Sequence, residues 1–231
     1  MLVLENLSKK FKQNMILDHV NYSFKEGNIY LIRGKNGVGK TVLLKLLCNL
    51  YKPTSGSIKY TNKDKDKLLY GVIIESPIFW KDKTGYETLE FLSSIRNTIN
   101  KSHINDALKR VGLYDVKDML VKKYSLGMKQ KLAIAQAIME DPAILLFDEP
   151  SVSLDPKHRR GLINVLNELP YTMLIASHDL DFIYDTCDRV LLLSNGKLVA
   201  DGPTQDILTN KKLLEENGLE LPLSFSRQKS I

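Results

Sequence analysis

Short runs of aliphatic and β-branched residues alternate along this chain with longer stretches whose apolar positions recur every three or four residues. That alternation is the pattern of an α/β protein with buried strands. LVLEN near the start and the Tyr22–Phe24 region read as strands of an antiparallel edge. NIYLIR at 28–33 reads as a buried strand that runs into a glycine-rich turn and then a helix from Lys40 to about Leu50. A turn is expected at Lys52-Pro53-Thr54-Ser55-Gly56, and another strand at LLYGVII, 68–74. From about Ser76 to Asp141 strand signals vanish, and amphipathic helices are expected around 86–97, 103–111 and 127–140. Strands resume at Ala143–Phe147, Thr172–Ala176 and Val190–Leu193, with helices between them.

This pattern predicts a single domain over 1–231: an α/β core of about 1–75 and 142–215, a helical insertion of about 76–141, and a polar tail of about 216–231. There is no internal repeat. No segment approaches the roughly 18 consecutive apolar residues a spanning helix needs; AILLF at 143–147 and VLLL at 190–193 have the length of buried strands. The amino terminus has its apolar residues before its charges, the reverse of a secretion signal.

Composition adds little. The chain is 43% hydrophobic and 26% charged over 231 residues, which is ordinary globular usage. The net charge is +6, but the charges are spread out, and the densest run, KDKDK at 63–67, alternates in sign as a solvated loop does. No nucleic-acid partner is expected from that distribution. Cys48 and Cys187 lie far apart with no CxxC, so neither a disulfide framework nor a zinc site is expected, and a reducing compartment fits.

The chemistry begins at Gly34-Lys35-Asn36-Gly37-Val38-Gly39-Lys40-Thr41, a full match to GxxxxGK[ST] between a strand and a helix. Glycines let the backbone curl so that its N–H groups cradle phosphates, and the helix adds the positive end of its dipole. Lys40 supplies a point charge to the β- and γ-phosphates, and Thr41 a hydroxyl to Mg²⁺. Ile144-Leu145-Leu146-Phe147 is followed by Asp148-Glu149, a buried strand ending in two acids. In an α/β sheet, carboxylates at a strand's carboxyl end face the ligand crevice. Asp148 is expected to hold Mg²⁺, and Glu149 to polarise the attacking water as general base.

Between these motifs lies Tyr124-Ser125-Leu126-Gly127-Met128-Lys129-Gln130. With the phosphate loop and the acid pair, it makes the chain resemble the nucleotide-binding domain of the ATP-binding cassette family over nearly its whole length. The segment stands in the place of that family's LSGGQ signature, with Leu126 where the family has a glycine and Met128 where it has the glutamine. The resemblance implies a P-loop NTPase core with a mostly parallel sheet, an antiparallel edge and a helical subdomain. It implies ATP and Mg²⁺ as ligands, the phosphate loop extending to Val42. Ser125, Leu126, Gly127 and Met128 would then bind the γ-phosphate of ATP held by an opposite subunit.

Smaller markers carry over the same way. Ser153-Leu154-Asp155 resembles the loop that runs along the dimer seam, through Asp155. Ala176-Ser177-His178-Asp179 resembles the switch histidine, and Phe11 stands where an aromatic stacks on adenine. Glu75, in Ile73-Ile74-Glu75-Ser76-Pro77, stands where the family usually has a glutamine on Mg²⁺. His19, His103 and His158 have no such context and read as surface residues. Phe79, Trp80 and Tyr86 lie in the segment that would face a membrane partner.

One chain carries a phosphate-binding half and a signature half that cannot meet around the same nucleotide. Head-to-tail pairing with a second copy or a similar domain is therefore expected. The resemblance implies an ATPase peripheral to the inner face of the cell membrane, on its cytoplasmic side, driving a separate transmembrane permease. YSLGMKQ and IIESP also resemble cassettes of the bacitracin and lantibiotic type, for export of or resistance to antimicrobial peptides. The alternative is a soluble ATPase acting in macromolecular assembly without a permease.

Overall fold

The computed structural model describes residues 1–61, 70–74 and 77–221. Glu75, the KDKDK run, the first two residues of the 68–74 strand and the end of the tail lie outside the described residues. In chain order the elements begin with strands β1 (Leu2–Phe11), β2 (Asn14–Phe24) and β3 (Ile29–Arg33), then helix α1 (Lys40–Leu47). Strands β4 (Ser55–Tyr60) and β5 (Tyr70–Ile73) precede helices α2 (Gly85–Arg96), α3 (Lys101–Arg110) and α4 (Leu126–Ile138). Next come β6 (Ile144–Asp148), α5 (Pro156–Glu168), β7 (Thr172–Ala176), α6 (Leu180–Thr186), β8 (Arg189–Ser194) and β9 (Lys197–Pro203). The short helices α7 (Thr204–Thr209) and α8 (Lys211–Glu216) follow.

The chain divides into two compact units, one made of Met1–Lys63 with Thr172–Ile231 and the other of Asp64–Tyr171. In the first, β3 lies between β7 and β8, parallel to both, and β9 returns antiparallel to β8. All five residues of β3 and of β7 are buried, as strands covered on both faces must be. A separate antiparallel sheet runs β2-β1-β4. Tyr22, Phe24 and Tyr30 meet edge to face at 4.7–6.0 Å, and the Tyr30 hydroxyl accepts the Lys25 N–H at 2.7 Å, so this buried phenol keeps a partner.

In the second unit β5 and β6 pair in parallel, Tyr70 opposite Ile144 through Ile73 opposite Phe147. Its four helices each begin at a polar cap: Thr84, Asn100, Ser125 and Asp155 accept N–H groups of the first turn. Helix α4 is apolar nearly all round, with Leu132, Ile134, Ala135 and Ile138 buried, and it packs on β5 at Gly71.

Several boundaries differ from the sequence reading: β1 runs on past LVLEN to Phe11, and β2 begins at Asn14, well before the Tyr22–Phe24 region. The helix from Lys40 stops at Leu47 rather than about Leu50, and Asn49 takes a left-handed φ of 61°. The segment read as a turn at 52–56 already contains the start of β4. Strand β9 was not anticipated.

Candidate functional site

In the first unit the loop after β3 is held closed by contacts that only glycine permits. A β-carbon on Gly34 would run into the Leu193 carbonyl oxygen and stand 2.7 Å from Val38 Cγ1. Gly39 has φ 111°, and a β-carbon there would stand 3.0–3.2 Å from Ile16 and Leu17. Lys40, the first residue of α1, is buried, and its ammonium donates to the carbonyls of Gly34 at 2.9 Å and Lys35 at 3.1 Å. A buried cation is thus pinned inside the loop it belongs to.

Helix α1 opens without protection. Its N-cap is Gly39, no side chain caps it, and its first turn holds no acid. The first-turn N–H groups have no acceptor within the helix, and their dipole favours an anion. Among the described helices of eight residues or more, the others carry a capping side chain, so the start of α1 suits an outside acceptor. Thr41 and Val42, half-buried in this turn, share its position. Lys35, Asn36, Gly37 and Val38 line a cavity of about 330 Å³ together with Met15, Ile16, Ser194–Gly196, Glu216 and Asn217.

Phe11 lies at the end of β1 and is 39% exposed. Its ring meets Tyr51 edge-on at 5.4 Å, with the Lys9 ammonium 4.8 Å from its centroid. His178 follows β7 and is exposed, with Ser177 beside it fully buried. Asp179 then caps α6 by accepting the Phe182 N–H at 3.2 Å.

In the second unit Asp148 is the last residue of β6. Glu149 follows with φ 50°, a left-handed conformation that costs a non-glycine residue about 1–2 kcal/mol. Strain of this kind persists where surrounding structure enforces it, and it gathers at functional turns. Both acids line a cavity of about 240 Å³, whose other walls include Leu126, Lys129 and Gln130 of α4 with Val152 and Ser153. The acid turn and the beginning of α4, separate in sequence, therefore share one hollow.

Ser125 caps α4, its hydroxyl oxygen accepting the Met128 N–H at 3.2 Å. That leaves the hydroxyl proton available to an acceptor. Leu126 is 52% exposed, whereas Gly127 is buried. The sequence reading assigned Gly127 to backbone approach alone, but its α-carbon also faces the ring of His158. His158, expected at the surface, has a side chain 41% exposed whose ring edge faces Gly127. It stands three residues after Asp155, the N-cap of α5. Asp155 accepts the His158 backbone N–H at 2.9 Å and pairs with its Nδ1 at 2.6 Å. The backbone N–H, then the ring, hold the Asp155 carboxyl below its ordinary range.

The donor set suits magnesium. Mg²⁺ is held through one or two carboxylates or hydroxyls plus substrate phosphates rather than by a cage of protein ligands. Among the described residues no three His, Cys, Asp or Glu side chains cluster as such a cage. Thr41, in the first unit, offers a hydroxyl, and Asp148, in the second, a carboxylate, and each is a donor type that Mg²⁺ accepts.

Comparison with known proteins agrees with this chemistry. The sequence profile of the ABC transporter family matches residues 17–152. The bacitracin transport ATP-binding protein BcrA of Enterococcus faecalis is 38% identical over 207 residues, covering 85% of this chain and 67% of that protein. The lantibiotic transport ATP-binding protein SrtF of Streptococcus pyogenes is 32% identical over 207 residues, covering 87% of this chain and 90% of its own. Among solved structures, cbiO1 of Clostridium perfringens, part of the ABC transporter complex cbiONQ, superposes with a TM-score of 0.80 at 26% identity, over 99% of this chain and 98% of its own. A glycine loop around a buried lysine, an uncapped helix start and an acid pair after a buried strand are thus found in a chain that belongs to the ABC transporter family, as one of its ATP-binding subunits.

Proposed function

We propose that this chain is the motor of a membrane exporter: it hydrolyses MgATP in a pair of cassettes and drives a separate transmembrane permease, with antimicrobial peptides of the bacitracin or lantibiotic kind as the substrate class. The observation that carries the ATPase half is the uncapped start of α1 beside the pinned Lys40, a built anion site. The printed names of BcrA and SrtF support the substrate class.

In this reading residues 34–42 wrap the phosphates, and Lys40 turns its ammonium from the loop carbonyls toward the β- and γ-oxygens. Phe11 stacks on adenine. Thr41 and Asp148 would hold Mg²⁺, which when bound would supply charge neutralisation to the phosphates. Glu149 takes the proton of the attacking water, and His178 donates to the γ-phosphate. Glu75 is a further metal-side acid in the same reading. Ser125, Leu126, Gly127 and Met128 close on the nucleotide of the second copy, with Asp155 along the seam. The closed pair is favoured only through contacts it alone makes, so hydrolysis reopens it.

The docking face for the permease is in the second unit. Trp80 and Phe91 stack edge-on at 4.9 Å and remain 43% and 47% exposed, beside Ile78 at 95% and Ile95 at 70%. Exposed aromatic and aliphatic groups of this density mark an interface. No described helix is long and apolar enough to cross a membrane; the exporter reading puts the cassette at the inner membrane face because its permease would lie there.

The experiment is purification of the tagged Glu149→Gln chain from native membranes in mild detergent with ATP. A stoichiometric polytopic membrane protein is the expected companion. A complex with soluble proteins alone would overturn the exporter and favour an assembly ATPase. Light scattering of the same variant, dimeric with ATP and monomeric without, tests the pairing.

A further inference from the structure

Glycine is among the poorest helix formers, so its presence inside the first turn of α4 asks for a cause. Gly127 is buried, and a β-carbon there would overlap Cδ2 of His158, standing 2.8 Å from Cγ and 3.0 Å from Cβ. The edge of the imidazole fills the space a side chain would occupy. The ring is itself fixed at the other side. Its backbone N–H donates to Asp155 Oδ1 at 2.9 Å, and Nδ1 meets Oδ2 at 2.6 Å. Asp155 caps α5 and ends the turn that starts at Glu149 and includes the left-handed Ser153, φ 62°. On the far side of the notch, Ser125 is tied into α4 by the Met128 N–H.

We propose that His158 is a positioning residue of the ATPase cycle: its ring is a rigid spacer seated in the Gly127 notch, fixing the distance between the signature turn, Ser125–Met128, and the Ser153–Asp155 loop. The two segments then meet a second copy of the chain as one surface. A histidine suits the task because Nδ1 lies next to Cβ and can reach a carboxylate three residues back, while the ring edge stays flat and stiff. A lysine or arginine would leave a flexible rotor in the same space. The inference rests on the proposed role of Ser125 and Gly127 in closing on nucleotide bound to another copy.

The test uses the full chain. His158→Ala is expected to lower kcat for ATP by about tenfold or more, the scale of a positional error near 1 Å. Binding of ADP to the single chain, measured by fluorescence, is expected to be unchanged, a split that general loss of structure does not give. His158→Asn, planar and able to donate from the Nδ1 position, is expected to recover most of the rate. Gly127→Ala is expected to fall as far, and Gly127→Ala combined with His158→Ala to recover part of the loss, because the methyl takes the space the ring vacates. Wild-type kcat in His158→Ala would overturn the spacer, and so would no recovery in His158→Asn. ATP-dependent dimerisation separates the two levels of the argument. A Glu149→Gln parent that never pairs sinks the proposed function and this inference together. A parent that pairs, and pairs equally well with His158→Ala added, sinks only this one.

Discussion

Replacing Gly71 by alanine would drive a methyl into the backbone of α4. The added carbon would overlap the Ala137 carbonyl oxygen and stand 2.9 Å from that carbonyl's carbon and 2.7 Å from Leu145 Cδ2. Carbons in ordinary contact are about 3.5–4.0 Å apart. Helix α4 must therefore retreat by at least about 0.6–1.1 Å, the difference between that spacing and the 2.9 Å available to the carbonyl carbon, with the oxygen closer still. The φ of Gly71 is not positive, so alanine fits the strand, and the unfolded-chain entropy favours it by about 0.5–1 kcal/mol. Overpacking against backbone costs about 1–3 kcal/mol, so the methyl loses by a net of about 1 kcal/mol. The larger effect is positional, because the same helix begins at the Ser125 cap, and a displacement near 1 Å costs up to about a hundredfold in rate. Urea unfolding and steady-state ATP turnover measure the two effects on one preparation. A variant more stable than the parent by about 0.5–1 kcal/mol, with unchanged turnover, would show that α4 does not rest on β5 at this glycine.

Three further outcomes are expected. Thr84→Ala removes one half of the α2 capping box, the bond in which Thr84 Oγ1 accepts the Glu87 N–H at 3.1 Å, and leaves the backbone N–H that donates to Glu87 Oε2 at 2.8 Å; a loss of about 1 kcal/mol is expected in urea unfolding, and an unshifted midpoint would refute it. Asp155, held below its ordinary value of 3.8, favours folding in its ionised form, an effect complete above that value and lost as pH falls through the lower folded one. Asp155→Asn should therefore flatten the pH dependence of stability below about pH 4, measured by urea unfolding at pH 3 and 5, and an unchanged slope would count against the pairing with His158. Tyr171, whose hydroxyl donates to Asp141 at 3.0 Å, is pushed up to about 12, first by burial and then by that bond. Its neutral form is favoured in the fold, so stability is intact below about pH 10 and falls as pH climbs toward the folded value. Tyr171→Phe should make that alkaline decline shallower above about pH 10, with Tyr22, also raised to about 12, keeping its own share, and a decline identical to the parent's would sink the assignment.

How legible the fold was in the sequence depended on burial. β3, β6, β7 and β8 are covered on both faces, so their apolar runs are continuous and their limits fall within a residue or two of the reading. β4 is SGSIKY, an edge strand with no buried residue, and its opening Ser-Gly reads as a turn for good local reasons. β9 was missed although its signal was present. Asn195-Gly196, with φ 48° and 75°, is the dipeptide of a two-residue hairpin turn, and it joins β8 to β9. The phosphate loop was readable because its residue types are dictated by backbone geometry, which sequence spacing preserves. His158 was not readable, because its partner Gly127 lies on another helix and only the packing of α4 against α5 brings them together.

The left-handed Glu149 has a consequence for how this chain would respond to selection. Glycine or asparagine would occupy φ 50° with less strain, so a library screened for thermal endurance alone should enrich them at 149. Each such winner would have surrendered the acid. Hardiness and turnover are set against each other at a single backbone position, and a programme to toughen the cassette would have to hold that residue fixed and look elsewhere.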